Sequence, residues 1–169
     1  ARAVGTPMII HAGTRDGSLR EAVANRGIPM LLYEAGEALY FNEQAIRSGV
    51  RGIINVMRAI GMLPADRKTR KQEPIISRKT SWVRASKSGV FFKQVSLGTL
   101  VRQNEMLGII NDPLGDEKEE IRAPFTGVVS GQLTLPLVHE GDALVNLAQV
   151  KDLDEAEVVL DDYTSNLTE

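Results

Sequence analysis

The chain contains 169 residues, of which 43% are hydrophobic and 25% are charged, and its formal net charge at pH 7 is -2. The apolar fraction suffices for a packed core and excludes wholesale disorder. The balanced charge excludes the basic face that nucleic-acid-binding domains present, so no nucleic-acid partner is predicted. The richest basic run, Arg67–Lys71, is short and is interpreted as a solvated linker rather than a phosphate-binding patch.

The sequence contains no cysteine, which excludes disulfides, thiolate metal sites and a cysteine nucleophile, and suits a reducing cytoplasm. No apolar run approaches the roughly 20 residues that a membrane helix needs, and a signal-peptide pattern is absent from the N-terminus. We therefore predict a cytoplasmic protein without a membrane partner. Residues 1–6 run directly into an apolar segment, which favours a fragment of a longer chain.

Residues 1–63 alternate between strand and helix patterns. Pro7–His11 is a short apolar run typical of a buried strand. A helix over Leu19–Arg26 follows, with Ser18 as N-cap, Glu21 three residues later as in a capping box, and Gly27 just after its end.

A second strand and a longer helix complete this region. Pro29–Tyr33 has the pattern of a buried strand, and a helix covers about residues 42–62, with apolar residues three and four apart from Ile46 to Ile60. This order predicts a parallel or mixed sheet flanked by helices. Two strands are too few for such a sheet, so we expect its remaining strands upstream.

The second part of the chain has a different pattern. Residues 64–80 are predicted to form a linker, residues 81–150 an all-β domain with frequent turns, and residues 151–169 an acidic tail with a short element near Ala156–Leu160. Ser88–Ile110 aligns with Thr126–Ala148 at a constant offset without gaps. This internal repeat predicts two similar β units related by pseudo-symmetry.

Glu34 is the first candidate for chemistry, because it directly follows the predicted strand Pro29–Tyr33. Ligands of α/β sheets bind at the carboxyl ends of strands, and a general base there would be held rigidly. A capping or surface-pairing role for Glu34 stays open. Arg15 and Arg20 flank the start of the first helix, where an arginine can bind a substrate carboxylate with two hydrogen bonds, or simply face solvent.

The two histidines do not make a metal site. A catalytic zinc usually takes three protein ligands, whereas His11 and His139 lie in different modules and no His-x-x-Glu pair occurs. We predict structural or solvent-facing roles for both, and no metal ligand in this chain. Ser18 lacks the glycines of a nucleophile elbow, which excludes a serine hydrolase.

Several motifs together resemble the succinylglutamate desuccinylase/aspartoacylase family of zinc amidohydrolases. They include the run Gly13–Ala22, Tyr-Glu-Ala-Gly at 33–36 and Gly-Val-Arg-Gly-Ile-Ile-Asn-Val-Met at 49–57. In the second half they include Ile121–Val129 and Glu140–Leu144. The resemblance implies the C-terminal part of a carboxypeptidase-like α/β domain, followed by a β-rich half-barrel.

The resemblance also implies roles for individual residues. Glu34 matches the family's catalytic glutamate, which acts as general base toward a zinc-bound water, and Arg20 is similar to an arginine that binds the substrate carboxylate. The zinc ligands would come from an upstream His-x-x-Glu motif and a later histidine outside these residues. We therefore expect a zinc-dependent hydrolase of N-acyl amino acids or similar small molecules, whose activity this chain alone does not retain.

The repeat in residues 81–150 resembles biotinyl/lipoyl domains, or barrel-sandwich hybrids. Carrier proteins of that fold modify a lysine at a hairpin tip, but Lys118 lacks their sequence setting, so we predict the fold without the carrier function. Packing on the catalytic domain or homo-oligomerisation remain open roles. The alternatives for the whole protein are a non-catalytic binding or assembly module and a pseudoenzyme.

Overall fold

The computed structural model describes residues 1–65, 73–115 and 117–167. The basic run Arg67–Lys71 lies outside them. The chain begins with a 3-10 helix, Arg2–Val4, followed by β1 (Met8–Ile10), α1 (Leu19–Ala24) and α2 (Glu43–Ala59). The remaining elements are β2 (Ile75–Ser77), β3 (Thr80–Arg84), β4 (Gly89–Lys93), β5 (Leu100–Val101), β6 (Met106–Asn111), β7 (Lys118–Arg122), β8 (Gly127–Gln132), β9 (Leu137–Val138), β10 (Ala143–Gln149) and α3 (Leu153–Leu167).

Residues 80–149 form two four-stranded antiparallel sheets, ordered β3-β10-β8-β5 and β7-β6-β4-β9. The predicted repeat is confirmed, because β4, β5 and β6 of the first unit correspond to β8, β9 and β10 of the second. The correspondence extends to β3 and β7. Each sheet contains strands of both units. When one unit is superimposed on the other, every strand of one sheet falls on its counterpart in the other sheet.

The core of this β module lies between the two sheets. Both sheets contribute side chains that are fully shielded from solvent, including Leu107, Ile110, Val129, Leu144 and Leu147. Burial of each such side chain stabilises the fold by about 1.5–3 kcal/mol relative to exposure. The β module therefore has a core of its own.

A second, smaller cluster joins the N-terminal residues and α3 to the β module. β1 and β2 form a parallel two-stranded sheet, and Met8 and Ile75 pack with Val128, Ala156 and other apolar side chains. The segment 64–80, predicted as a linker, thus contains β2. The C-terminal region forms the helix α3, longer than the short element predicted near Ala156–Leu160.

The β1 strand and both helices of residues 1–63 form where the sequence predicted them, with slightly shorter bounds. The predicted strand Pro29–Tyr33 is wrong: these residues have no strand conformation, and Leu31 and Leu32 are more than half exposed. A strand needs a neighbouring strand to satisfy its backbone groups, and none of the described strands pairs with this segment. None of the helices in the described ranges has the length and apolar character to cross a membrane.

Candidate active site

Helix α1 carries Arg20 close to its capped N-terminus. The Ser18 hydroxyl accepts a hydrogen bond from the Glu21 N–H at 3.1 Å, and the Glu21 carboxylate accepts from the Gly17 N–H at 2.7 Å. The predicted N-cap is therefore confirmed, although the glutamate bonds Gly17 rather than Ser18. The cap fixes the helix start in position, and with it the backbone of Arg20.

The guanidinium of Arg20 has a buried donor without a hydrogen-bond partner. Arg20 is half-buried, and its Nε is shielded from solvent without an acceptor among the described residues. A buried charged donor without an acceptor is costly. A carboxylate, whether from a ligand or from another polypeptide segment, would satisfy it.

Tyr33 anchors the segment that carries Glu34. Its phenol donates a hydrogen bond to the Ala45 carbonyl at 2.9 Å, and a Cβ added at Gly49 would lie 2.9 Å from Cε1 of the ring. Burial, and next the neighbouring Tyr163, raise the pKa of the Tyr33 hydroxyl. Tyr163 in turn shares a hydrogen bond with Ser48 at 3.2 Å, so α3 reaches the same part of α2.

Glu34 is exposed. Its neighbours Tyr33, Ala35 and Gly36 line an open pocket of about 170 Å³, whereas Glu34 does not. The burial that a general base needs is therefore not provided by the described residues. The remaining lining residues follow Gly36 in the sequence or lie in the first turn of α2: Glu37, Tyr40, Phe41, Asn42, Ala45 and Ile46.

The pocket contains residues that the sequence analysis did not single out. Tyr40 and Phe41 are exposed aromatic side chains, and Asn42 caps α2 by accepting a hydrogen bond from the Ala45 N–H at 2.9 Å. The sequence feature that could have identified these residues is their position between the Tyr-Glu-Ala-Gly motif and α2. Glu37 is the carboxylate among the lining residues.

The described residues do not fit a zinc ion. No group of three histidine, cysteine or carboxylate side chains within the described ranges could hold a metal. His11 and His139 are both exposed. The backbone N–H of His139 donates to the Asp142 carboxylate at 2.7 Å. This is a turn contact within the β module. Because a catalytic zinc needs about three protein ligands, these side chains alone could not bind one for catalysis.

Lys118 lies within β7, opposite Asn111 of β6. It is therefore the first residue of a paired strand rather than the tip of the hairpin. A carrier lysine must reach distant active sites, and a lysine in a strand is poorly placed for that.

Comparison with solved structures finds proteins of similar fold. The chain is similar to a succinylglutamate desuccinylase/aspartoacylase from Rhodobacter sphaeroides, with 23% identity, a TM-score of 0.77 and coverage of 88% of this chain and 48% of that one. The ectoine utilization protein EutE from Ruegeria pomeroyi, in its product-bound structure, gives 21% identity, a TM-score of 0.76 and coverages of 89% and 47%.

An aspartoacylase family protein from Mesorhizobium loti gives 20% identity, a TM-score of 0.65 and coverages of 89% and 46%. No protein-family model and no curated protein matches the sequence. The likeness shows the fold, and the resemblance predicted from the sequence is confirmed at that level. The chain spans about half the length of the structures that it matches.

Proposed function

We propose that this chain is the C-terminal portion of a zinc-dependent deacylase that hydrolyses the amide bond of an N-acyl amino acid or a similar small substrate. The observation that carries the proposal is the shared fold over 88% of the chain with a structure named as a succinylglutamate desuccinylase/aspartoacylase. Three residues of the Tyr-Glu-Ala-Gly motif at 33–36, all but Glu34, line the open pocket.

In this proposal Glu34 is the general base. Amide hydrolysis forms a bond between the water oxygen and the acyl carbon, breaks the C–N bond and moves one proton to the leaving amine. The Glu34 carboxylate accepts that proton from the attacking water and then donates it to the nitrogen. Arg20 binds the substrate carboxylate, which supplies the acceptor that its Nε lacks.

Zinc belongs to the proposal for the complete protein, with ligands contributed by residues outside this chain. The β module is proposed to be a half-barrel of the biotinyl/lipoyl type that packs on the catalytic domain or joins two copies of the protein. A cytoplasmic location and the absence of nucleic-acid and membrane partners complete the proposal. An intact mass with no biotin or lipoyl adduct on Lys118 would agree with it.

The test uses the complete product of the reading frame that contains this sequence. Zinc content and hydrolysis of a panel of N-acyl amino acids are measured for the wild type and for Glu34→Gln. Removing a general base lowers kcat by roughly 100-fold to 10,000-fold, with KM nearly unchanged. Arg20→Ala is expected to raise KM instead, because it removes a contact present in the ground state.

Glu43→Gln is the matched control, since Glu43 is a nearby carboxylate that pairs with Arg47 on the surface of α2. It should retain the turnover of the wild type. Unchanged turnover in Glu34→Gln would refute the role of Glu34. A complete protein without zinc and without hydrolase activity would favour the pseudoenzyme or assembly module.

A further inference from the structure

The open pocket beside Glu34 combines aromatic side chains with one charge. Its volume is about 170 Å³, and a cavity of roughly 150 Å³ is large enough to hold a benzene ring. Three of its lining residues are aromatic, namely Tyr33, Tyr40 and Phe41, and Glu37 is the charged residue among the described lining residues. The pocket therefore has room for one small group, which would meet both aromatic side chains and a carboxylate.

The turn before α2 brings two of these aromatic residues to the pocket through a strained backbone. Leu39 has a φ of 70°, a conformation that residues other than glycine rarely adopt. Its side chain is 99% exposed, so burial of that side chain does not offset the strain. The next two residues, Tyr40 and Phe41, line the pocket. Backbone strain of this kind concentrates at functional sites, which favours a binding role for the turn.

The charge of the pocket selects the kind of group that it can bind. Glu37 is exposed, and no described residue forms an ion pair with it. Glu43, by contrast, pairs with Arg47 on the surface of α2. The Glu37 carboxylate would repel an anionic group and attract a cation. An ammonium group is also attracted to the faces of aromatic rings, so the two features of the pocket favour the same ligand.

We propose that this pocket binds an ammonium group of the substrate, and that the preferred substrates are N-acyl amino acids with a second, free amino group on the side chain. The proposal rests on the proposed deacylase function and narrows its substrate class. Glu34 lies between Tyr33 and Ala35, both of which line the pocket. A substrate whose amide bond lies at Glu34 can therefore extend its side chain into the pocket, where Glu37 pairs with the ammonium group.

The experiment measures kcat/KM of the complete product of the reading frame for three substrates. Nα-acetyl-L-lysine carries the ammonium group, Nα-acetyl-L-norleucine has the same number of side-chain carbons without a charge, and Nα-acetyl-L-glutamate carries a negative charge. We expect the lysine derivative to exceed the norleucine derivative by about 10-fold, and the glutamate derivative to be the poorest substrate. Equal values for the lysine and norleucine derivatives, or a preference for the glutamate derivative, would overturn the inference.

Variants assign this preference to the pocket. The quantity compared is the ratio of kcat/KM for the lysine derivative to kcat/KM for the norleucine derivative. Glu37→Gln should lower this ratio by about 5-fold. Phe41→Leu should lower it by about 3-fold, because leucine keeps an apolar side chain without an aromatic face. A ratio that stays unchanged in Glu37→Gln would overturn the inference.

Two controls separate the charge effect from a general loss of binding. Ile46→Ala removes apolar surface from the same pocket, so it should lower kcat/KM for both substrates and leave the ratio unchanged. Glu43→Gln removes a carboxylate outside the pocket and should not change the ratio either. A ratio that falls as far in Glu43→Gln as in Glu37→Gln would overturn the assignment to Glu37. Added salt should lower the ratio in the wild type, because the pocket is open to solvent.

A binding measurement distinguishes failure of this inference from failure of the proposed function. n-Butylammonium and the neutral 1-butanol are titrated into the complete product, and the amide chemical shifts of Gly36 and Ala45, which line the pocket, are followed by NMR. Shifts with n-butylammonium alone, in a protein that hydrolyses none of the three substrates, would support the ammonium site and refute the proposed function. Hydrolysis without preference and without these shifts would refute the ammonium site and leave the proposed function standing.

Discussion

The ring of Tyr33 lies against the backbone of Gly49, with so little space that a Cβ at Gly49 would approach Cε1 of the ring to 2.9 Å. The phenol simultaneously bonds the Ala45 carbonyl. The first two turns of α2 therefore hold the Tyr33 side chain at two points. Because Glu34 is the next residue, this contact fixes the backbone from which the proposed general base projects.

Gly49→Ala tests this contact through two opposing effects. Alanine favours a helix over glycine by about 1 kcal/mol, whereas overlap with the Tyr33 ring costs about 1–3 kcal/mol. We expect Gly49→Ala to be neutral or destabilising in the wild type, and to stabilise by about 0.5–1 kcal/mol in a Tyr33→Ala background. Chemical denaturation followed by circular dichroism measures the double-mutant cycle. Equal effects in the two backgrounds would contradict the contact.

Sequence patterns predicted those parts of the fold that are determined by interactions between residues close together in the chain. The Ser18 cap and the 3.6-residue periodicity of α2 involve residues a few positions apart, and both were predicted from the sequence. The repeat predicted two similar β units, because similar sequences form similar local structure, but it did not predict that each unit contributes strands to both sheets. The strand pattern of Pro29–Tyr33 misled the prediction, because a strand exists only beside a partner, and the pattern carries no information on whether that partner is present.

The candidate site was only partly predictable for the same reason. Glu34 and Arg20 were predicted from motifs, which are local, and their roles stay predictions. The anchoring of Tyr33 by Ala45 and Gly49, and the contact of Ser48 with Tyr163, join segments distant in sequence. Gly49 in the interior of α2 was the available signal that a side chain packs closely there, because glycine is unfavourable inside a helix.

The repeat makes a paired prediction for Gly89 and Gly127, which occupy equivalent positions in β4 and β8. A Cβ at Gly89 would lie 2.4 Å from the Asn111 carbonyl oxygen, and one at Gly127 would lie 2.5 Å from the Ala148 carbonyl oxygen. Each backbone must therefore shift to accept alanine. We expect Gly89→Ala and Gly127→Ala to destabilise the β module by similar amounts, about 1–3 kcal/mol each, measured by urea denaturation.

Gly13→Ala serves as control for this pair, because no atom lies within 4 Å of its added Cβ. It should change stability by less than about 0.5 kcal/mol. A large loss of stability for only one of the variants Gly89→Ala and Gly127→Ala would show that the two units do not contribute equally to stability, although their strand orders correspond.

Ser77 connects the β1–β2 pair to the β module. Its side chain is fully buried, and its hydroxyl lies 3.0 Å from the Lys79 carbonyl and 2.9 Å from the Gln149 carbonyl, to either of which it can donate its one hydrogen. Ser77→Ala removes this donor and should destabilise the protein by about 1–3 kcal/mol. Ser96→Ala, at an exposed serine, should be nearly neutral. Equal midpoints for the two variants in urea denaturation would refute the linking role of Ser77.

The titration of Tyr33 tests the contact between α3 and α2. Burial raises the pKa of Tyr33 above the ordinary value of 10.0, and Tyr163 raises it further. Since the folded pKa exceeds the unfolded pKa, folding favours the neutral phenol. This contribution to stability is complete below about pH 10 and is lost as the pH rises through the raised folded pKa.

Tyr163→Phe should therefore lower the Tyr33 midpoint without restoring its ordinary value, because burial is the larger cause. The midpoint is obtained from ultraviolet absorbance, as the difference between each protein and its Tyr33→Phe counterpart. Tyr40→Phe is the control, because Tyr40 lines the same pocket but is not among the causes of the shift. A midpoint that Tyr163→Phe leaves unchanged would show that α3 does not bring Tyr163 close to Tyr33 in solution.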